Sequence, residues 1–182
     1  MPERLKLTFD FRLPVVKAYA DDCTIAVSYC RRDSRRAVAA VNRQLKVAEE
    51  WGKLWQVNFA PDKTHAMVVS RSPAATQGVE GQLRFGDVQL PLQDNIKVLG
   101  ITIDQELRYD QHIATVARQT SQRVSALRRV AGSLDPRGIL TLYKAQIRPC
   151  MEYGALSWMS SAVTHTRRLD AVQRRVLRLL GG

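Results

Sequence analysis

The hydrophobic period of this chain changes near Tyr109, and the change limits the folds that its 182 residues can adopt. Before Tyr109 the apolar residues form short β-branched runs between turn residues, with one helical stretch among them. After Tyr109 they recur at helical spacing, which predicts helices alone. We therefore expect an α+β fold, with a mixed part over residues 15–109, a helical part over residues 110–182 and an atypical lead-in over residues 1–14.

The mixed part opens with two predicted strands, at residues 14–20 and 23–29, which join across Asp21 and Asp22 as a β-hairpin. A helix follows from Asp33 or Ser34, since both residue types cap helix N-termini. Its expected core face comprises Val38, Val41, Leu45, Ala48, Trp51 and Trp55. A stacking role for the two tryptophans is the alternative. The pattern then predicts two short strands within 56–71, a linker at 71–81 and a hairpin turning at Gly86–Asp87. It also predicts one strand at 95–104, in which Gly100 indicates a bulge or a close backbone approach.

The helical part contains three main predicted helices. The first ends near Gly132 and buries Ile113, Val116, Thr120, Val124, Leu127 and Val130. Asp135 and Pro136 predict the start of the second, which runs toward Arg148, just before Pro149. The third begins near Thr164, ends at Gly181 and buries Leu169, Val172, Val176 and Leu179. Its opposite side carries Arg167, Arg168, Arg174, Arg175 and Arg178.

Positive charge is concentrated in the helical part. Residues 1–109 hold 16 Lys and Arg against 13 Asp and Glu, a net of +3, whereas residues 110–182 hold 12 against 4, a net of +8. This excess points to a polyanionic partner, nucleic acid ahead of an anionic membrane surface. A solvated basic face without a partner is the alternative.

Cysteine and histidine content argues against several other classes of protein. The chain has three cysteines without a Cys-x-x-Cys pair and three scattered histidines, so we expect neither a disulfide framework nor a metal cluster built on these residues. Free cysteines fit an intracellular location, nuclear or cytoplasmic. The charged N-terminus does not resemble a secretory signal, and no apolar run is long enough for a membrane span.

Two adjacent aspartates stand between the first two predicted strands, in "AYADDCTIAV". Alone, such a pair is usually a solvated turn or a helix cap. Carboxylates at a hairpin tip are also the hard oxygen ligands that Mg²⁺ prefers, and a triphosphate can reach them there. Two Mg²⁺ ions held in this way can activate a primer hydroxyl and stabilise the leaving pyrophosphate.

Six segments in order resemble the reverse transcriptases of non-LTR (LINE-type) retrotransposons: "YADDCTIAVS", "LKVAEEWGKLWQVNFAPDKTHAMVVSR", "KVLGITID", "LRYDQHI", "LTLYKAQIRPCMEYGALSWM" and "HTRRLDAVQRRVLRLLG". The resemblance covers residues 15–182. It implies a partial palm with the YADD hairpin and primer-grip-like strands, followed by a thumb. It also implies an RNA template, a DNA primer and deoxynucleoside triphosphates as partners, with Mg²⁺ as cofactor.

The same resemblance implies roles for single residues. Asp21 would bind Mg²⁺ and Asp22 would support the metal site and the primer terminus, while Tyr19 and Ala20 would line the nucleotide and primer pocket. Lys63 would lie near the nucleotide phosphates, or it is an ordinary turn lysine. Leu99 and Gly100 would form the turn that meets the primer. The arginines of the last helix, Arg167, Arg168, Arg174, Arg175 and Arg178, would contact phosphates of the nucleic-acid backbone.

The resemblance also has a gap. Such polymerases need a further palm aspartate and a fingers domain upstream of the hairpin, and the 20 residues before Asp21 are too few for them. If Asp10 lies beside a turn between two paired strands, it is roughly 20 Å from Asp21. We therefore expect a fragment, the C-terminal half of a polymerase core that is inactive alone. The alternatives are a non-catalytic module that binds RNA or RNA–DNA hybrid, and a basic membrane-surface or scaffolding protein.

Overall fold

The computed structural model describes residues 14–20, 22–159 and 163–180 and divides into two compact units, before and after the bond between Leu99 and Gly100. The strands are β1 (Val15–Tyr19), β2 (Asp22–Ala26), β3 (Arg84–Phe85), β4 (Val88–Gln89), β5 (Asn95–Val98) and β6 (Ile101–Asp104). The helices are α1 (Ser34–Trp55), α2 (Asp110–Val130), α3 (Pro136–Leu142), α4 (Arg148–Glu152), α5 (Ala155–Trp158) and α6 (Val163–Leu180). The predicted α+β class is confirmed.

In the first unit, α1 packs against the β3–β4 hairpin. The amide of Asn42 ties the two together, since its Nδ2 donates to the Gln82 carbonyl at 2.9 Å and its Oδ1 accepts from the Arg84 N–H at 3.0 Å. The hairpin turns at Gly86–Asp87 as predicted, with Phe85 paired to Val88. The core of the first unit comprises Val38, Leu45, Val68, Val79, Leu83, Phe85 and Leu90.

The prediction that Trp51 and Trp55 lie in this core is wrong, because 50% and 64% of their surfaces are exposed. Gly52 takes the buried place instead. A Cβ at Gly52 would lie 2.6 Å from the Val57 carbonyl oxygen and 3.0 Å from the Phe59 ring. After α1 ends, the chain folds back over Gly52, so that Val57 and Phe59 contact the glycine. Trp51 and Trp55 lie outside this contact and are exposed.

Two further predictions for the first unit are also wrong. Residues 56–71 form no strand; they contain a 3-10 turn, Pro61–Lys63, and a single bridge between Ala66 and Leu92. The expected linker at 71–81 packs into the unit, since Val79 is 6% exposed and a Cβ at Gly78 would lie 2.7 Å from the Ser34 hydroxyl. The buried side chain of Val79 anchors the otherwise polar segment 71–81 in the core of the first unit.

In the second unit, α2 and α6 pack together and supply much of the core. Its buried residues are Ile113, Val116, Val124, Leu127, Ile139, Ile147, Met151, Trp158, Leu169, Val172 and Val176. The stripe predicted for α6 is confirmed, with Leu179 half-buried. Val130 is an exception in α2, since 47% of its surface is exposed at the end of the helix.

The helix that begins at Pro136 does not end before Pro149. Asp135 caps it as predicted, with Oδ1 accepting from the Gly138 N–H at 2.7 Å. The chain then passes through a π turn, Tyr143–Ile147, into α4, which contains the proline. The wider turn accommodates a residue that has no N–H to donate.

The segment 95–104 is two strands rather than one strand with a bulge. Leu99 and Gly100 separate β5 from β6, and both have positive φ, at 46° and 84°. Positive φ at both central residues is the signature of a tight two-residue turn.

Candidate functional site

The β1–β2 hairpin carries the YADD residues. The two strands pair from Val15 with Ala26 to Tyr19 with Asp22, which places Ala20 in the connection between them. The prediction that Asp22 lies in the turn is wrong, because Asp22 belongs to β2. Ala20 adopts φ 52°, a left-handed conformation that is common in the tight turns of β-hairpins.

This register places Tyr19 and Asp22 directly opposite each other. Opposed residues of an antiparallel pair share a face of the sheet, with Cβ atoms about 5 Å apart. Both are exposed, and Tyr19 exposes 70% of its surface. The hairpin therefore presents a phenol and a carboxylate together to solvent. Asp21, the predicted metal ligand, and Asp10 lie outside the described residues.

The carboxylate of Asp22 does not complete a metal site with its described neighbours. Across residues 14–20, 22–159 and 163–180, no group of three His, Cys, Asp or Glu side chains is placed to hold an ion. Mg²⁺ prefers near-octahedral oxygen ligation, which one carboxylate does not supply.

Lys63 ends the 3-10 turn Pro61–Lys63 in the same unit. Its N–H donates to the Ala60 carbonyl at 3.0 Å, and Thr64 Oγ1 donates to the same oxygen at 3.0 Å, so the backbone is well held while the ammonium group is exposed. Within the described part of the chain, Lys63 and Asp22 form no ion pair.

The Leu99–Gly100 turn exposes its leucine, with 43% of the surface accessible. In the second unit the ring of Tyr153 lies against Gly100, and a Cβ at that glycine would be 3.3 Å from Tyr153 Cε1. A bulky residue with positive φ is strained, by about 1–2 kcal/mol. The turn is thus solvent-accessible, and its glycine lies against Tyr153.

The basic side of α6 is exposed along its described length. Leu169, Val172 and Val176 are buried, which turns the other side outward. The five exposed arginines, Arg167, Arg168, Arg174, Arg175 and Arg178, form no ion pair with any described residue. Their guanidinium groups are available to an external anion.

Sequence reasoning missed two polar residues that organise the second unit. Asp104 accepts from the N–H groups of Glu106 and Arg108, both at 3.0 Å, and of Tyr109 at 2.6 Å. Burial acts to raise the pKa of Asp104, but these hydrogen bonds outweigh it and the pKa is lowered. A sequence signal existed, since Asp before an irregular segment often accepts from nearby backbone groups.

His112 is the other missed residue, at 5% exposure near the start of α2. Its Nδ1 accepts from the Thr102 N–H at 3.3 Å, and its ring centroid is 6.1 Å from that of Trp158. Its Nε2 is buried without a hydrogen-bond partner among the described residues. Burial lowers the pKa of His112.

Comparison with known proteins relates the chain to transposable elements. It is 30% identical over 168 residues to the 115 kDa protein in the type-1 retrotransposable element R1DM of Drosophila melanogaster, which covers 89% of this chain and 16% of that protein. It is 23% identical over 174 residues to the RNA-directed DNA polymerase from the D. melanogaster mobile element jockey, covering 92% and 18%. The chain is distantly homologous to non-LTR retrotransposon reverse transcriptases.

The chain spans less than a fifth of the length of those proteins, with shares of 16% and 18%. A third similarity, 28% over 147 residues, is to the retrovirus-related Pol polyprotein from the type-1 retrotransposable element R1 of Bradysia coprophila, covering 79% of the chain and 14% of that protein. No protein-family profile and no solved structure matches the chain. Among the described helices, none has the length and apolar character that a membrane crossing requires.

Proposed function

We propose that the chain is the part of a reverse-transcriptase core that comprises a partial palm, residues 15–109, and a thumb, residues 110–182. The observation that carries the proposal is the exposed hairpin in which Tyr19 pairs with Asp22. Homology to RNA-directed DNA polymerases over most of the chain supports it. The proposed partners are an RNA template and a DNA primer, with deoxynucleoside triphosphates in the intact enzyme, in an intracellular setting.

In the intact enzyme, Asp21 and Asp22 would contribute ligands for Mg²⁺, the cofactor that activates a primer hydroxyl in this chemistry. The described residues do not complete that donor set. We therefore assign no catalytic step to these residues alone. Tyr19, Ala20, Leu99 and Gly100 would contact the nucleotide or primer, and Lys63 would neutralise phosphate charge.

Polymerase function is tested by completing the core. We would replace the matching segment of the jockey polymerase with residues 15–182 and measure extension of an oligo(dT) primer on poly(A). Extension is expected, and Asp21→Asn or Asp22→Asn should each reduce it at least about a hundredfold, because an anionic carboxylate ligand for Mg²⁺ is lost. Asp87→Asn, at an exposed turn of the first unit, is the matched control and should retain activity.

The 182-residue chain alone should not extend the same primer. Extension by the isolated chain that Asp21→Asn abolishes would show that it builds a complete site. A chimera that binds hybrid normally but is inactive, or whose aspartate variants remain active, would contradict the polymerase proposal.

The exposed arginines of α6 favour a second candidate, a non-catalytic module that binds RNA or RNA–DNA hybrid. Phosphate contacts need only accessible cations, without an active site. The two candidates differ in what they expect at the hairpin. If the chain is a binding module only, replacing Asp21 and Asp22 should leave its affinity for RNA–DNA hybrid unchanged and have no other effect on its function.

A further inference from the structure

We propose that Tyr153 is a positioning residue for the primer 3′ end, which it serves by holding the exit of the Leu99–Gly100 turn. The inference rests on the proposed function, since it requires the turn to meet a primer. It is carried by a series of contacts within the second unit that joins Gly100, Ile101 and Thr102 to the core.

The first contact is between Gly100 and the ring of Tyr153. Gly100 has φ 84°, and the position of a Cβ on it lies 3.3 Å from Tyr153 Cε1, 3.8 Å from the hydroxyl oxygen and 3.9 Å from Cζ. The ring edge therefore lies so close to Gly100 that a Cβ there would be crowded. A larger residue at position 100 would displace the ring.

The second contact is between Gly154 and Ile101. Gly154 has φ 62°, and a Cβ there would overlap the side chain of Ile101. The backbone at 153–154 is thus seated directly on the residues that leave the turn. A side chain at Gly154 would displace Ile101, just as one at Gly100 would displace the ring of Tyr153.

The third set of contacts anchors Tyr153 itself. Its carbonyl accepts from the indole Nε1 of Trp158 at 3.1 Å, and Trp158 is 4% exposed in the core. The Trp158 ring neighbours His112, whose Nδ1 accepts from the Thr102 N–H. Trp158 thus connects His112, which accepts from Thr102 of β6, with Tyr153, whose ring lies against Gly100.

Such support matters because a displacement of about 1 Å at a reacting group can cost a hundredfold in rate. Tyr153 remains 55% exposed, so its ring supports the turn from a solvent-accessible position. A residue that served stability alone would be expected deeper in the core. The geometry instead places it beside the loop that would contact the primer.

The test uses the full chain with an RNA template annealed to a DNA primer that ends in 4-thiothymidine. Irradiation should cross-link the primer 3′ end to residues 97–103, mapped by mass spectrometry. Tyr153→Ala should lower the yield at these residues at least about tenfold, because the turn loses its support. Hybrid affinity should change less than about twofold, since phosphate contacts are retained.

Tyr153→Phe keeps the ring and should keep the cross-link. Leu156→Ala removes a 96% exposed side chain from the neighbouring helix and is the matched control. Circular dichroism and thermal melting confirm folding, and Tyr153→Leu replaces the alanine variant if that variant is unfolded. Equal cross-linking in wild type and folded Tyr153→Ala or Tyr153→Leu overturns the positioning role, while the proposed primer contact stands. No cross-link at residues 97–103 in the wild type overturns both.

Discussion

At the scale of single residues, His112 couples the stability of the second unit to pH. Its Nδ1 accepts a hydrogen bond from the Thr102 N–H, which requires that nitrogen to be unprotonated. A neutral imidazole then carries its proton on the buried Nε2. Protonation would place a charge in the core and turn the acceptor into a donor that faces another donor.

We predict that acid destabilises the protein through this residue. Because the folded pKa of His112 lies below the unfolded value of about 6.5, its stabilisation is complete above that pH and declines as pH falls below it. Urea unfolding should show a lower free energy of unfolding at pH 5.5 than at pH 7. His112→Gln, which can still accept from Thr102, should flatten this dependence. An unchanged slope in His112→Gln would assign it to other groups.

Leu99 gives a second prediction at this scale. Leu99→Gly should raise the free energy of unfolding by about 0.5 kcal/mol, because relief of the left-handed backbone outweighs the entropy cost of glycine. It should also weaken cross-linking of the primer end, since an exposed apolar contact is lost. Leu107, with φ 56° and 47% exposure, is a matched control for both the strain and the side chain. If Leu107→Gly lowers cross-linking equally, the effect is not specific to the turn.

At the scale of secondary-structure elements, the junction of α3 and α4 depends on a side chain from α2. Pro149 has no N–H, and the π turn before it redirects the carbonyls. Arg123 Nη1 donates to the Gln146 carbonyl at 2.6 Å, which supplies a donor within this turn. The hydrogen bond links α2 to the irregular part of the helix.

We predict that Arg123→Ala lowers the free energy of unfolding by about 1–2 kcal/mol, the contribution of a hydrogen bond with a charged donor. Arg118→Ala, at an exposed position of the same helix, should change it by less than about 0.5 kcal/mol. Urea denaturation measures both. Equal losses in the two variants would indicate an effect of helix charge rather than of the bond to Gln146.

The elements that sequence patterns predicted are those whose determinants lie within the element. The α6 stripe needs only its own spacing, the Asp135 cap only the next three residues, and the β3–β4 hairpin only its glycine turn. Trp51 was wrongly placed because burial on α1 depends on where the chain returns after the helix. The residue pattern alone missed the turn at Leu99–Gly100, which the family resemblance implied, because leucine is uncommon at positive φ.

The candidate site was predicted unevenly for the same reason. Exposure of the α6 arginines follows from the helix period, which the sequence shows directly. Asp104 accepts from residues a few positions along the chain, so the sequence carries a local signal for it. Tyr153 contacts Gly100, which is far away along the chain, so the sequence carries little sign of that contact. The roles of Asp22, Lys63 and the arginines remain predictions.

At the scale of the whole molecule, the distribution of charge determines how the protein meets nucleic acid. The chain carries a net +11, most of it after Tyr109. Affinity for an RNA–DNA hybrid should therefore fall steeply with salt, with a log–log slope of roughly −2 to −4 for three to five phosphate contacts. Fluorescence anisotropy over a range of salt concentrations measures it.

Replacing Arg174 and Arg175 with glutamine should flatten that slope and weaken binding to all sequences about equally. The charge-matched control is Arg43→Gln with Lys46→Gln, an exposed pair on α1 in the first unit. If both double variants change the slope alike, net charge rather than the face of α6 governs binding. Binding that does not depend on salt would remove the thumb role.

The folding-back of the chain over Gly52 has an optical consequence. Of the three tryptophans, Trp51 and Trp55 are exposed in the first unit, whereas Trp158 is 4% exposed in the second. Acrylamide should therefore quench emission from the first pair in the native state and reach Trp158 only after the second unit opens. In a variant with Trp51→Phe and Trp55→Phe, Trp158 is the remaining tryptophan and reports on the second unit alone. A red shift of its emission on denaturation would record the loss of the core around α2 and α6.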